Sequence, residues 1–197
     1  MKTKVFSVLL LLASASVLSA QEAKYELKSA VIDKQTTAMG QTFATTWYMD
    51  DYGRKESSEV TVKVGGIANI EKHARTIVDG STAITIDLDM KTAVKMTIPQ
   101  KPVNYLHLTP EVREMYKIKE TGDEEIAGKP CRKYELEITM MGQTAHVAVW
   151  VWKGIVLKSE TSANGTVALT EIATQIQENV PVPPEKLTVP EGITVSQ

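Results

Sequence analysis

The stretch "TAHVAVWVW", residues 144–152, is apolar on both of its alternating sets of positions. Successive side chains of a β-strand point to opposite faces, so Val147 and Val149 share one face. Trp150 and Trp152 share the other. A strand that is apolar on both faces is covered on both sides. One side is then the main core, and the other is either core beneath a helix or the wall of a hydrophobic cavity.

The same period of two runs through the rest of the chain, with Val, Ile and Thr enriched, which is typical of half-buried antiparallel strands. Turn pairs such as Asp79-Gly80 separate the runs. We predict about ten strands, with a bulge near Glu171, where the apolar phase slips. The predicted spans are 24–33, 41–50, 54–65, 67–78, 82–89, 92–98, 131–141, 144–152, 155–162 and 166–177.

One segment, residues 105–118, predicts a short helix instead. Pro110 suits the first helical position, and Val112, Met115 and Tyr116 give the helix one apolar face. One short helix cannot cover so long a sheet, so the sheet must curl into a closed or partly open barrel, or fold into a sandwich. The proline-rich segment 179–192 is predicted to cross the outside of the sheet in extended form.

The N-terminus, residues 1–20, reads as a secretory signal peptide, with Lys2 and Lys4 before an apolar run. We predict one domain over residues 21–197, soluble in the periplasm, or else secreted or held at the cell surface. The net charge of −2 falls to −4 without the signal peptide, so nucleic acid is a poor partner. One cysteine cannot form an internal disulfide, so packing must hold the fold.

Candidate catalytic groups are few. The three histidines, one of them His146, are far apart, and none has a metal-ligand spacing. Cys131 and His146 would meet across a hairpin as a thiol nucleophile and its base, or Cys131 packs as a small hydrophobe; we favour packing. Asp87 and Asp89 share a predicted strand face and are read as solvated. We therefore expect no enzyme, no metal and no cofactor.

Three stretches together resemble the LolA/LolB-like superfamily of periplasmic lipoprotein carriers and their exported relatives. They are "TTWYMDDYGRKESSEV" (45–60), "ARTIVDGSTAITIDLDMKTAVKMTI" (74–98), and "IAGKPCRKYELEI" (126–138) followed by "VWVWKGIVLKSE" (149–160). The third contains a G-x-x-C-x-x-Y pattern, and its resemblance to relatives with a similar opening implies a scaffold role for Cys131. The closing "PVPPEKLTVPEGITV" (181–195) is similar to their proline-rich tails.

The resemblance implies a mainly β fold, in which a curved antiparallel sheet forms an open half-barrel with one or few short helices as a lid. It implies that the apolar concave face shelters a lipid or a lipoprotein acyl chain. The residues predicted to line that face are Phe43, Trp47, Met96, Met115, Tyr116, Met140, Trp150 and Trp152.

Two departures from the carriers affect this prediction. The carriers begin with a helix, whereas residues 25–32 here read as a strand, and the carriers have more than one lid helix. A thinner lid predicts a shallower cavity or none. The alternative function is therefore a cell-envelope module with a filled core that binds another protein. We expect a monomer in either case.

Overall fold

Twelve strands form one curved sheet in the computed structural model, which describes residues 23–38, 40–64, 70–98, 103–140, 143–163 and 165–196. The strands are β1 (Ala30–Ala38), β2 (Gln41–Asp50), β3 (Lys55–Val64), β4 (Ile70–Asp79), β5 (Thr82–Asp87), β6 (Thr92–Thr97), β7 (Lys119–Ile126), β8 (Lys129–Met140), β9 (Gln143–Trp152), β10 (Ile155–Ala163), β11 (Thr166–Glu178) and β12 (Thr194–Ser196). The one α-helix of the described residues, α1, spans Pro110–Met115.

The sheet consists of two antiparallel meanders, β1 to β6 and β7 to β11, joined where β1 pairs with β11. The strand order is β12-β6-β5-β4-β3-β2-β1-β11-β10-β9-β8-β7, so β7 and β12 form its two edges. The sheet does not close on itself, and the predicted open half-barrel with a short helix is confirmed. The predicted signal peptide, residues 1–20, lies outside the described residues, and the domain division stays a prediction.

The register of the strands defines two faces. Paired residues of neighbouring strands point to the same side, so Trp47, Leu136 and Val149 lie on one face. Trp150 and Arg75 lie on the other. We call these the lid face and the strap face, after the segments that cover them.

The lid comprises residues 103–118 and lies across β8 and β9. Thr109 caps α1, because its hydroxyl accepts a hydrogen bond from the Val112 amide at 3.4 Å. Val112 and Tyr116 are half-buried against a cluster that includes Leu136 and Val149. The predicted helix is therefore present, within narrower bounds than 105–118.

The strap comprises residues 180–193 and covers the opposite face of β3 to β6. Arg75 is 7% exposed and donates hydrogen bonds to the carbonyl oxygens of Glu185 and Thr188 and to the Glu59 carboxylate. Ser57 donates to the Lys186 carbonyl oxygen at 2.6 Å. The proline-rich tail crosses a face of the sheet as predicted, but it is not extended throughout, because Pro184–Lys186 form a short 3-10 helix. After the strap, β12 pairs parallel to β6.

The predicted strands differ from the observed ones in three places: one strand is displaced and two were missed. The first strand, predicted over 24–33, begins at Ala30, because the amides of Lys24 and Glu26 bond to the turn residues Tyr52 and Lys153. Two strands were missed: β7 is mostly charged and lacks apolar alternation, and β12 has three residues. The predicted slip near Glu171 corresponds to two register shifts, one on each side of it.

Candidate functional site

A cavity of about 690 Å³ lies on the lid face. Its volume falls within the range of about 300–1,000 Å³ that small-molecule sites occupy. It is bounded by the sheet, by the start of the lid and by the N-terminal segment. The lining residues are Lys24, Tyr25, Lys34, Trp47, Glu56, Gly80, Ser81, Val103, Asn104, Tyr105, Leu136, Ile138, Val147, Val149, Gly154, Ile155 and Val156.

Alternating residues of β8 and β9 form the apolar wall of this cavity. Leu136 is paired with Val147, and Ile138 and Val149 lie on the same face, two residues away along their strands. The strict period of two places all four side chains together on one side of the sheet. This wall presents methyl groups and no hydrogen-bonding side chain, as a site for an aliphatic chain requires.

Two aromatic rings face the same cavity from the other meander. Trp47 on β2 meets Tyr25 edge-on, with ring centroids 5.5 Å apart and an interplanar angle of 85°. Tyr25 fits because residue 53 is glycine: a Cβ there would lie 2.5 Å from the tyrosine ring. Gly53 also has a positive φ of +84°, which glycine adopts without strain.

Charged groups occupy the end of the cavity next to these rings. Glu56 accepts hydrogen bonds from the Lys24 ammonium at 2.6 Å and from the Tyr25 hydroxyl at 3.2 Å. Burial and the nearby Glu56 carboxylate raise the pKa of Tyr25 well above its ordinary value. Lys34 bonds to Glu171 at 2.7 Å, and its ammonium lies 5.6 Å from the Trp47 ring centroid.

The N-terminal segment, residues 23–29, closes one end of the cavity. The Lys24 amide donates to the Tyr52 carbonyl oxygen at 3.0 Å, and the Glu26 amide donates to the Lys153 carbonyl oxygen at 3.2 Å. Gly154 makes this approach possible, because a Cβ there would lie 2.6 Å from the Lys24 carbonyl oxygen. The segment that sequence alternation predicted as a strand is therefore part of the wall.

The start of the lid closes another side. Asn104 holds it to the N-terminal segment, with its side-chain amide donating to the Ala23 carbonyl oxygen at 3.2 Å. Tyr105 packs against Tyr134, with ring centroids 5.6 Å apart. Burial raises the pKa of Tyr105, so its hydroxyl is un-ionised at neutral pH.

The eight residues predicted to line the site do not form one surface, although Trp47 packs against the buried cluster that contains Trp150 and Trp152. Trp47 lies in the cavity wall. Phe43 lies further along the same face of β2, outside the cavity, and Tyr116 packs within the lid. Met96 and Met115 are 49% and 70% exposed.

The remaining three predicted residues are Met140, whose side chain lies outside the described part of the chain, and the two tryptophans of β9. Trp150 and Trp152 lie on the strap face, opposite the cavity, and are 4% and 8% exposed. Neither ring lines the cavity, although Ile155, which is paired with Trp152, does. Ligand contact by the eight residues therefore stays a prediction. Among those with described side chains, only Trp47 lines this cavity.

Lysine side chains cover these two tryptophans. Lys158 and Lys133 lie 4.0 and 5.2 Å from the Trp150 ring centroid. Lys153 and Lys129 cover Trp152 at 4.6 and 4.9 Å. Long lysine stems can seal apolar surface while their ammonium groups remain in water, and cation–π contact adds to the attraction. The strap face of β9 is therefore core.

Sequence reasoning missed most of the wall. The alternation of β8 and β9 indicates that Leu136, Ile138, Val147 and Val149 lie on one face. The ligand site was instead predicted on the opposite face of β9, because Trp150 and Trp152 are larger. Tyr25 gave no such signal, because its position depends on two distant turns.

The Cys131–His146 pair, the disfavoured alternative to packing, does not form. Cys131 lies beside Arg132, which is opposite Val151, whereas His146 is opposite Glu137, six residues further along β8 than the cysteine. That separation is roughly 20 Å along a strand. Cys131 is 2% exposed, and burial raises the pKa of its thiol, which disfavours the nucleophilic thiolate. Within the described residues, no group of three or more His, Cys, Asp or Glu side chains is placed to hold a metal ion.

The two aspartates have turn roles. Asp87 accepts hydrogen bonds from the amides of Asp89 and Met90. Asp89 accepts from the His73 amide and contacts the His73 ring at 3.1 Å. These hydrogen bonds account for the presence of both carboxylates in the turn, so no catalytic role is needed to explain them.

No protein-family model matches the sequence, and no curated protein does. Solved structures are similar in fold. An uncharacterized conserved protein from Thermus thermophilus has a TM-score of 0.56 and 10% identity, over 87% of this chain and 91% of that one. The Pseudomonas aeruginosa MucA/MucB complex contains a chain with a TM-score of 0.54 and 13% identity, over 84% of this chain and 56% of that one.

A lipoprotein-sorting protein domain from Vibrio parahaemolyticus matches at a TM-score of 0.41 and 11% identity, over 82% of this chain and 90% of that one. At these identities a likeness concerns the fold and says nothing of the ligand. With the Thermus thermophilus protein and the MucB chain, this chain shares its fold, an open curved sheet that is mainly antiparallel.

Proposed function

We propose that this protein is an exported binding protein that shelters an apolar chain, such as a lipid tail or a lipoprotein acyl chain, on the lid face of its half-barrel. One observation carries the proposal: an open cavity of about 690 Å³ whose sheet wall is made of aliphatic side chains. A sheet with a filled core would leave no such space, because protein interiors pack densely.

Burial of the ligand's methylene groups supplies the driving force. Each methylene removed from water contributes about 0.8 kcal/mol, or about a fourfold gain in affinity. Val147, Val149 and Ile138 supply the surface against which a chain would lie. The proposal needs no catalytic residue, and it gives Cys131 a packing role.

Export is the second part of the proposal and rests on the signal-like residues 1–20. No helix in the described residues is long and apolar enough to cross a membrane. The proposed location is the periplasm, where a monomer would meet lipids at the membrane surface.

The test uses two neighbouring residues that point to opposite faces of β9. Val147→Trp places an indole in the cavity, whereas His146→Trp places the same group on the strap side, where His146 is exposed. Binding of the uncharged dye N-phenyl-1-naphthylamine is measured by fluorescence. We expect Val147→Trp to weaken binding at least tenfold and His146→Trp to leave it unchanged. Equal effects of the two variants, or no dye binding by the unmodified protein, would contradict the proposal.

A protein-binding role is the alternative, and one comparison favours it: a solved structure of similar fold is that of MucB in complex with MucA. Strand β7 lies at one edge of the sheet, and no strand of the described residues pairs with its outer side, so its backbone groups are available to such a partner. Native mass spectrometry of protein purified from its own host without detergent separates the two functions. Lipid-mass adducts that disappear on denaturation support the binding protein. A stoichiometric polypeptide without lipid supports the alternative.

A further inference from the structure

We propose that the cavity selects amphiphiles with an anionic head group, and that the Lys34 ammonium recognises this head group. This inference rests on the proposed function and adds a polar subsite to it. The apolar wall would take the tail, and the ligand class would be a single-chain carboxylate or phosphate amphiphile rather than a neutral lipid.

Lys34 is an unusual residue for the wall of an apolar cavity. Its side chain is only 10% exposed, and it lines the cavity beside Trp47. A lysine ammonium has three N–H donors. Within the described residues, the structure gives Lys34 a single hydrogen-bond acceptor, Glu171, at 2.7 Å. Two donors of a nearly buried cation are therefore left for another acceptor, and a buried donor without an acceptor is costly.

The position of Glu171 directs those donors. Its side chain is 30% exposed and does not line the cavity, so it accepts one hydrogen bond of the ammonium from outside the cavity. The Trp47 ring, 5.6 Å from the ammonium, borders it on another side. The charge of Lys34 is balanced by Glu171, so the spare donors distinguish head groups by hydrogen bonding to an anion, not by attraction to an uncompensated charge.

The cavity is also divided along its length. Charged groups lie at the β1 to β3 end, where Lys24 and Glu56 join Lys34, and aliphatic groups lie on β8 and β9. Strands β11 and β10 separate β1 from β9, so three inter-strand spacings of about 4.8 Å give roughly 14 Å between the polar end and the wall. A polar head and an aliphatic tail on one molecule match this division.

The experiment measures displacement of N-phenyl-1-naphthylamine from the unmodified protein by matched ten-carbon ligands at pH 8. Decanoate and decyl phosphate carry an anionic head, and 1-decanol carries a neutral one. We expect both anionic ligands to compete about tenfold more strongly than the alcohol, since charge-assisted hydrogen bonds are stronger than neutral ones. Equal competition by the alcohol would overturn the inference and leave the proposed function standing. Dye binding without competition by any of the three would also overturn it.

Inorganic phosphate and acetate test whether the anion acts alone. Neither should displace the dye, because neither carries a tail. Displacement by either ion at the concentration at which decyl phosphate acts would replace the amphiphile site with a free-anion site. Absence of dye binding by the unmodified protein would contradict both this inference and the proposed function, so the two failures are distinguishable.

Substitution of two lysines of similar burial tests whether Lys34 causes the preference for anionic ligands. Lys34→Met removes the ammonium at the cavity, and Lys158→Met removes one of similar burial, 17% exposed, that lies over Trp150 and bonds to Glu160 on the strap face. Lys34→Met should abolish the preference for decanoate over 1-decanol, and Lys158→Met should retain it. A preference that survives Lys34→Met would overturn the assignment. The comparison among ligands on the unmodified protein remains decisive if a variant does not fold.

Discussion

The two faces of β9 are both apolar, but they are covered differently. On the strap face, Trp150 and Trp152 are sealed beneath lysine stems and belong to one buried cluster with Cys131. On the lid face, Val147 and Val149 are covered in part by the lid, and a cavity remains beside it. The larger side chains lie on the filled face, and the smaller ones lie on the open face.

This difference shows that side-chain size does not identify a binding surface. Large rings fill space and can be sealed by neighbouring lysines, whereas valines leave room that a ligand can use. Whether a face keeps room for a ligand depends on the segment that covers it. In this protein the lid and the N-terminal segment meet at a cavity instead of filling it.

The largest expected effect comes from removing a ring on the filled face. Trp150→Ala should lower the free energy of unfolding by about 3–5 kcal/mol, because it leaves a large void in a buried cluster. Trp47→Ala, at the half-buried ring in the cavity wall, should cost about 1–2 kcal/mol and weaken dye binding. Urea denaturation measures the first quantity and dye titration the second. Similar stability losses would remove the distinction between a filled face and an open one.

A second prediction concerns the wall that the N-terminal segment provides. Gly154→Ala should destabilise the protein by more than about 2 kcal/mol, because the new methyl group meets the Lys24 carbonyl oxygen at 2.6 Å and φ is +83°. Gly128→Ala is the control: φ is +74°, but nothing lies within 4 Å of the added Cβ. It should cost about 1 kcal/mol, from backbone strain alone. Equal costs in urea denaturation would mean that the segment does not pack on the β9–β10 turn as described.

The strap predicts a pH dependence on the filled side. Burial alone would raise the pKa of Glu59, but hydrogen bonds from Lys186 and Arg75 outweigh it and lower the pKa of this carboxyl. Glu59 therefore adds stability that is present above the ordinary Glu pKa of about 4.3 and is lost as the pH falls through the lower folded value.

Hydrogen exchange of the amides of residues 185–188 measures this loss. Their protection, normalised for intrinsic exchange, should fall below about pH 4.3 in the unmodified protein. In Glu59→Gln the protection should be weaker at neutral pH and change less on acidification. An identical pH profile in the two proteins would show that another group controls the strap.

The smallest effect is expected at the cysteine. The burial that raises the thiol pKa should keep native Cys131 unreactive toward a thiol reagent at pH 8, whereas the unfolded chain should react. Cys131→Ala should leave dye binding unchanged, since the thiol does not line the cavity. Rapid labelling of the native protein would reopen the thiol chemistry that the sequence raised.

More of the architecture than of the site could be predicted from the sequence. Alternation and turn pairs are local signals, and they located most strands and the short helix to within a few residues. Strand β7 escaped because an edge strand with both faces exposed needs no apolar alternation. The first strand was displaced because Tyr25 and Leu27 alternate like strand residues but are buried by distant turns.

The position of the site could not be predicted without the three-dimensional structure. The sequence identified β9 as covered on both sides, but which face kept a cavity depended on the paths of the lid and the strap. Lys34 shows the same limit. It lies in an unremarkable polar stretch of β1, and only the pairing of β1 with β2 and β11 places it between Trp47 and Glu171.

Photo-crosslinking tests the central claim most directly. An uncharged alkyl diazirine is activated in the presence of the purified protein, and the modified residues are identified by peptide mass spectrometry. The account predicts labels on lid-face residues such as Val147, Val149 and Trp47, which excess 1-decanol competes away. Competed labels on Trp150 and Trp152 instead would place the binding surface on the opposite face and contradict the account.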